Sequence, residues 1–172
     1  VKPFAPGELL ESLVRAMAQT KSSTSDSVEV PELRFRDRYA PDFIGEHARV
    51  RALFVIVERI ARSNSTVLLH GETGTGKELI ARALHAASAR CNGPFIAINC
   101  AALPAGYAES VLFGHVRGAF PGASEAQDGQ VIAAHRGTLF LDGVASLPMA
   151  VQSRLLRVLE QREVVPLGSA QP

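Results

Sequence analysis

The stretch Thr66–Glu78, TVLLHGETGTGKE, limits what this chain can fold into more than any other: a short apolar run empties into a glycine-spaced loop ending in lysine. Glycines at 71, 74 and 76 let backbone N–H groups turn inward, Lys77 adds a point charge, and a following helix presents its positive amino end. Gly-x4-Gly-Lys between a buried strand and a helix is the pattern of a polyphosphate cradle. The plain alternative is a glycine-rich turn joining strand to helix, which would need the same spacing by coincidence. Nucleotide binding is the leading reading, through Gly71, Glu72, Thr73, Gly74, Thr75, Gly76, Lys77 and Glu78.

Periodicity extends the pattern on both sides. Val50, Leu53, Phe54, Val57 and Ile60 repeat at helical spacing before the loop, and Leu79, Ile80, Ala83, Leu84 and Ala87 predict a helix after it that runs to about Arg90. Phe95–Ile98 reads as a buried strand closed by Asn99, and Thr138–Leu141 as another that delivers Asp142 at its carboxyl end. Strands alternating with helices predict a parallel α/β sheet. Asp142 is then suitably placed to hold a magnesium ion through water against the phosphates; a plain strand-end turn aspartate is the weaker alternative. Pro148 opens a predicted helix over Leu147–Glu160 with Val151, Leu155, Leu156 and Leu159 on one face, and Val164–Leu167 is a short extended piece.

The first nineteen residues carry a helical stripe, Leu10, Leu13, Val14 and Met17, and Thr20–Pro31, centred on KSSTSDS, is too polar to pack a core and reads as a linker. A chain of 172 residues with 47% apolar content and a net charge of +1 suits one soluble domain and predicts no dominant electrostatic partner. No basic stripe or helix-turn-helix is visible, so direct DNA binding by these residues is not expected. Cys91 and Cys100 lack metal-ligand spacing and read as reduced packing thiols, and no apolar run approaches the roughly 20 residues that span a bilayer. A cytoplasmic protein without membrane contact is expected. The five histidines read as structural or solvated, with no carboxylate or cysteine at metal-ligand spacing.

GETGTGKE closely resembles the phosphate loop of the sigma-54-dependent bacterial enhancer-binding activators (NtrC type), AAA+ ATPases in which Glu78 is usual where most such loops have Ser or Thr. PFIAINCAALP (Pro94–Pro104), ESVLFGHVRGAFPGA (Glu109–Ala123), RGTLFLDG (Arg136–Gly143) and LPMAVQSRLLRVLEQRE (Leu147–Glu163) follow in the family's order, so the resemblance covers about residues 41 to 168. It implies a three-layer α-β-α AAA+ sheet, ATP and Mg as cofactors, homo-oligomers in the full-length protein, and sigma-54 RNA polymerase holoenzyme as partner. It implies that Asn99 couples nucleotide state to moving loops; locally, Asn99 reads as a strand-end residue that satisfies nearby backbone. Phe43 and Ile44 would lie beside the adenine or simply pack, with neither reading preferred. The opening Lys2-Pro3-Phe4 resembles the end of a response-regulator receiver domain, in which Lys2 would contact the phosphorylated aspartate. The implied organisation is a receiver end over 1–19, a linker over 20–40 and an AAA+ portion over 41–172, within a two-component system.

Departures from the family fall at working positions. Gly143 stands where a glutamate polarises the attacking water, so no catalytic residue is assigned, and loss of such a base is worth ~10²–10⁴ in rate. Gly118-Ala119-Phe120-Pro121-Gly122-Ala123 replaces GAFTGA: the contacting Phe120 is kept, while Pro121 removes a donor, stiffens the loop and is expected to weaken the grip on sigma-54. Arg136 replaces a glycine. The family strand that inserts between the Asp142 strand and the phosphate-loop strand has no counterpart here, nor do the edge strands, the helical lid or the DNA-binding domain, so the sheet is expected to be incomplete and the chain a fragment. Three readings stand: an ATP-hydrolysing remodeller; a regulator that binds nucleotide or merely oligomerises and recruits polymerase without hydrolysis; and a partial, inactive product.

Overall fold

A computed structural model describes residues 31–170, apart from 46 and 105. The expected receiver end, with Lys2 and the Leu10–Met17 stripe, and most of the linker lie outside the described residues. The stretch assigned to the linker nevertheless contains helix α1, Pro31–Tyr39. Phe35 explains the difference: its ring is buried 6.3 Å from that of Phe54, so one aromatic side chain recruits a highly charged segment into the core.

Helix α2, Ala48–Ala61, is capped by His47, whose Nδ1 accepts the Arg49 N–H at 3.2 Å, and buries Phe54, Val57 and Ala61. Helix α3, Lys77–Ala87, buries Ile80, Ala81 and Ala83. These three helices share one core cluster, into which Leu69 and Phe43 also pack. Of the residues expected to face the core on α2, Leu53 stays 36% exposed, because only one side of that helix finds a partner among the described residues.

Strand β1, Phe95–Asn99, is followed by a 3-10 turn at Cys100–Ala102, helix α4 at Ala108–Phe113, a two-residue ladder of β2 (Gly114–His115) with β3 (Gln127–Asp128), and short helix α5 at Gln130–Ala133. Strand β4, Thr138–Asp142, then leads through a second 3-10 turn to helix α6, Met149–Gln161. β1 and β4 pair in parallel, Phe95 opposite Thr138 through Asn99 opposite Asp142. The expected parallel α/β arrangement is present, as a partial sheet.

Strand side chains alternate between faces. Ile96, Ile98, Leu139 and Leu141 enter a second core cluster with Leu112, Phe113, Val151 and Leu155. On the opposite face Phe95 meets Arg82 and His85 of α3, the Arg82 guanidinium lying 4.7 Å from its ring centroid and the His85 ring 5.4 Å away. The sheet thus lies between α3 on one side and α4 with α6 on the other. On α6 the buried stripe is narrower than expected: Val151 and Leu155 are buried, but Leu156 is 55% and Leu159 40% exposed.

The strand expected before the glycine loop does not form. Residues 66–69 pair with no strand among the described residues, and Val67 and Leu68 are exposed. A strand needs a neighbour to complete its ladder, and apolar β-branched sequence alone supplies none.

Candidate nucleotide-binding site

The glycine loop leads directly into α3. Gly74 and Gly76 have φ of +83° and +82°, the left-handed region that glycine enters without a Cβ penalty. Gly76 is also the α3 N-cap, and a Cβ there would lie 2.8 Å from the Phe43 ring. Thr75 closes the loop from within: its N–H and hydroxyl both donate to the Glu72 carbonyl, at 3.4 and 2.8 Å. Lys77 curls back so that Nζ donates to the carbonyls of Gly71 and Glu72 at 3.1 and 2.7 Å, holding its ammonium over the loop. Gly71, Glu72, Thr73, Gly74 and Thr75 are all exposed, so the loop faces solvent. Glu78 is engaged by Arg82, one turn on, at 2.6 Å. Of the two residues expected either to lie beside the adenine or simply to pack, Phe43 stands edge-on to Phe54 at 5.3 Å in the core, and Ile44 is 97% exposed.

His85, near the carboxyl end of α3, bonds Thr138 at the start of β4 through Nδ1 at 3.0 Å. In a parallel layer the helix runs back along the strands, so its amino end and the glycine loop lie toward the strands' carboxyl ends. Asn99 and Asp142 occupy those ends as register partners. Alternation from Phe95 and Thr138 sets both on the α3 face of the sheet. Asn99 Oδ1 accepts the Ala101 N–H at 3.0 Å and so caps the following 3-10 turn, the local role open to it from sequence. Asp142 is exposed, and its charge, after burial, raises the pKa of the neighbouring Cys100 thiol above its ordinary value. Burial lowers the pKa of His85 below its ordinary value.

Gly143, immediately after Asp142, sits at φ +67°, ψ +42°. That left-handed backbone disfavours any L-residue at the position. The donor set fits a nucleotide: glycine backbone at left-handed φ, a lysine poised over the loop and an exposed carboxylate on the same face. Among the described residues no three His, Cys, Asp or Glu side chains cluster as a metal site, so a divalent ion would rely on Asp142 together with phosphate oxygens and water.

The profile of the Sigma-54 interaction domain matches residues 43–172. The chain belongs to that family. It is 44% identical over 171 residues to the transcriptional regulatory protein ZraR of Klebsiella oxytoca, which covers 99% of this chain and 37% of the relative. It is 42% identical, again over 171 residues, to the DNA-binding transcriptional regulator NtrC of Bradyrhizobium, covering 99% and 35%. The crystal structure of NtrX from Brucella abortus in complex with ATP superposes with a TM-score of 0.67 at 34% identity, covering 99% of this chain and 34% of that one. The chain thus spans little more than a third of the length of these relatives.

In this sigma-54 interaction domain the 118–123 loop is a folded turn. The Ala123 N–H donates to the Phe120 carbonyl at 3.0 Å and Gly122 has φ +103°, which puts Pro121 and Gly122 at the two central positions of a type II turn. The Gly118 N–H donates across the loop to the Ala123 carbonyl at 2.8 Å, and Ala123 is buried. Phe120 is half-buried rather than projecting, its ring 5.0 Å from His115 and 6.4 Å from Tyr107.

Several supporting residues had no sequence signal. His115 is buried and bonds Ser110 Oγ through Nδ1 at 2.8 Å. Arg154 of α6 donates to Glu109 and to the Val165 carbonyl and lies 4.9 Å from the Phe113 ring centroid. These pairings span five to 45 residues across helix ends, where neither helical nor strand periodicity applies. Among the described residues no helix is long and apolar enough to cross a membrane.

Proposed function

We propose that this chain is the nucleotide-binding, sigma-54-engaging portion of a transcription regulator in a two-component system, and that it binds ATP with Mg but hydrolyses it slowly or not at all. The observation that carries the reading is the glycine loop at the head of α3, with Lys77 held over it, on the sheet face that bears Asn99 and Asp142. Gly71–Glu78 would cradle the phosphates, Asp142 would hold the metal through water, and Asn99 would sense nucleotide state. ATP supplies polyphosphate charge for the loop to grip. The left-handed backbone at Gly143 favours binding without turnover.

Residues 118–123 would meet sigma-54 polymerase holoenzyme through Phe120, with a grip weakened by the Pro121 turn. Homo-oligomerisation in the full-length protein, DNA contact through a further domain and a receiver end over residues 1–19 complete the reading. A nucleotide-independent scaffold that recruits polymerase is the second reading, favoured by the same Gly143 and Pro121. The NtrX complex with ATP and the domain family support nucleotide as ligand. Calorimetry of the full-length protein with a non-hydrolysable ATP analogue and Mg, paired with phosphate release, tests the proposal. Tight binding with negligible release is expected, and Lys77→Ala should weaken binding about 10- to 100-fold, the worth of a charge-assisted contact. Unchanged affinity in Lys77→Ala would sink the phosphate-cradle role.

A further inference from the structure

The rings around Phe120 suggest how the loop that carries it is kept folded. His115 is fixed from several directions: its backbone pairs with Gln127 on one side and bridges to Leu167 on the other, and Ser110 orients its imidazole at 2.8 Å. Val116 and Gly114 exchange hydrogen bonds with Leu167 at 3.0 and 2.9 Å, and a Cβ at Gly168 would stand 2.9 Å from the Ala119 Cβ, so the loop base has almost no freedom. Tyr107, by contrast, is 59% exposed at the N-cap of α4, and its ring meets Phe120 edge to face at an interplanar angle of 83°. Phe120 therefore contacts one ring tied down by backbone and side-chain bonds and one surface ring whose loss would leave the core untouched.

We propose that Tyr107 and His115 form a rest that holds Phe120 down, and that Tyr107 is the positioning residue setting how readily the 118–123 loop releases Phe120 to a partner. The inference rests on the partner-contact reading of the loop, but its first readout needs no partner. Arg117 is exposed immediately before Gly118, so tryptic cleavage after Arg117 reports the released population when opening is fast relative to cutting. An edge-to-face pair of this kind predicts that Tyr107→Leu in the full-length protein speeds that cleavage about 2- to 10-fold. Tyr107→Phe, which keeps the ring, should cleave at the wild-type rate. Phe120→Leu, which also loses the His115 ring contact, should cleave at least as fast as Tyr107→Leu, and the double variant should add nothing beyond Phe120→Leu alone, since the Tyr107 contact is already gone there.

Wild-type rates in both leucine variants, a multiplicative double variant, or an equal rise after exposed Arg90 in a different loop would overturn the proposal. Sigma-54 binding by wild type and Tyr107→Leu separates the two claims. Faster cleavage with tighter sigma-54 binding supports both. Faster cleavage in a protein whose wild type does not bind sigma-54 leaves the ring rest standing and removes the partner.

Discussion

Arg136 should be a stability defect that a single substitution to glycine repairs. Its φ of +60° lies in the left-handed region, which costs an L-residue about 1–2 kcal/mol. The backbone around it cannot relax. The Gly137 N–H is tied to the Ala134 carbonyl at 2.9 Å, the Thr138 N–H to the Pro94 carbonyl at 2.8 Å, and Cβ atoms at Gly93 and Gly137 would lie 2.3 Å from Arg136 O and 2.0 Å from Pro94 O. The Arg136 side chain is exposed and makes no hydrogen bond or ion pair with another described residue, so little is lost with it. Glycine gives back roughly 0.5–1 kcal/mol through greater freedom of the unfolded chain. Arg136→Gly should therefore stabilise the full-length protein by about 0.5–1 kcal/mol, which for a unit of this size raises the midpoint by about 1–4 °C. Arg136→Ala keeps the Cβ and the strain and should stay within about 0.5 kcal/mol of wild type. Urea titrations of the three proteins, with equal slopes, make the comparison. Alanine as stabilising as glycine, or no gain from glycine, would refute the strain argument.

Phe54 is 1% exposed at the centre of the α1–α2–α3 cluster, so Phe54→Ala should destabilise by about 3–5 kcal/mol in chemical denaturation; a loss below about 1 kcal/mol would mean that cluster is not a close-packed core. Because burial lowers the His85 pKa below its ordinary 6.5, the unfolded chain takes up the proton more readily; stability should fall as pH drops below about 6.5 and level off beneath the folded pKa. His85→Gln should remove that component of the pH profile, and an unchanged slope would assign it elsewhere. Gly143→Glu places an L-residue at φ +67° and should destabilise by about 1–2 kcal/mol, with no rise in phosphate release. Restored turnover would show that the backbone there is free to leave the left-handed region.

The loop–helix unit at 71–87 and the strands at 95–99 and 138–142 were legible in the sequence because each is encoded within a few residues: glycine spacing, a 3.6-residue stripe, a short apolar run. Asp142 and Asn99 were legible as strand-end polar residues for the same reason. Tertiary structure alone decided the rest, since it turns on neighbours distant in the chain. Residues 66–69 carry strand composition yet form no strand, because pairing belongs to two segments and not to one. Phe35 draws a charged stretch into the core, while Leu156 of an apolar stripe stays in solvent, because burial depends on which face meets a partner. Phe120 lies down on His115 and Tyr107 because Pro121 and Gly122 close a turn whose base Leu167 pins from across the fold. Local sequence specifies conformation wherever backbone preference and periodicity suffice; pairing, exposure and loop posture require the far side of the chain to arrive.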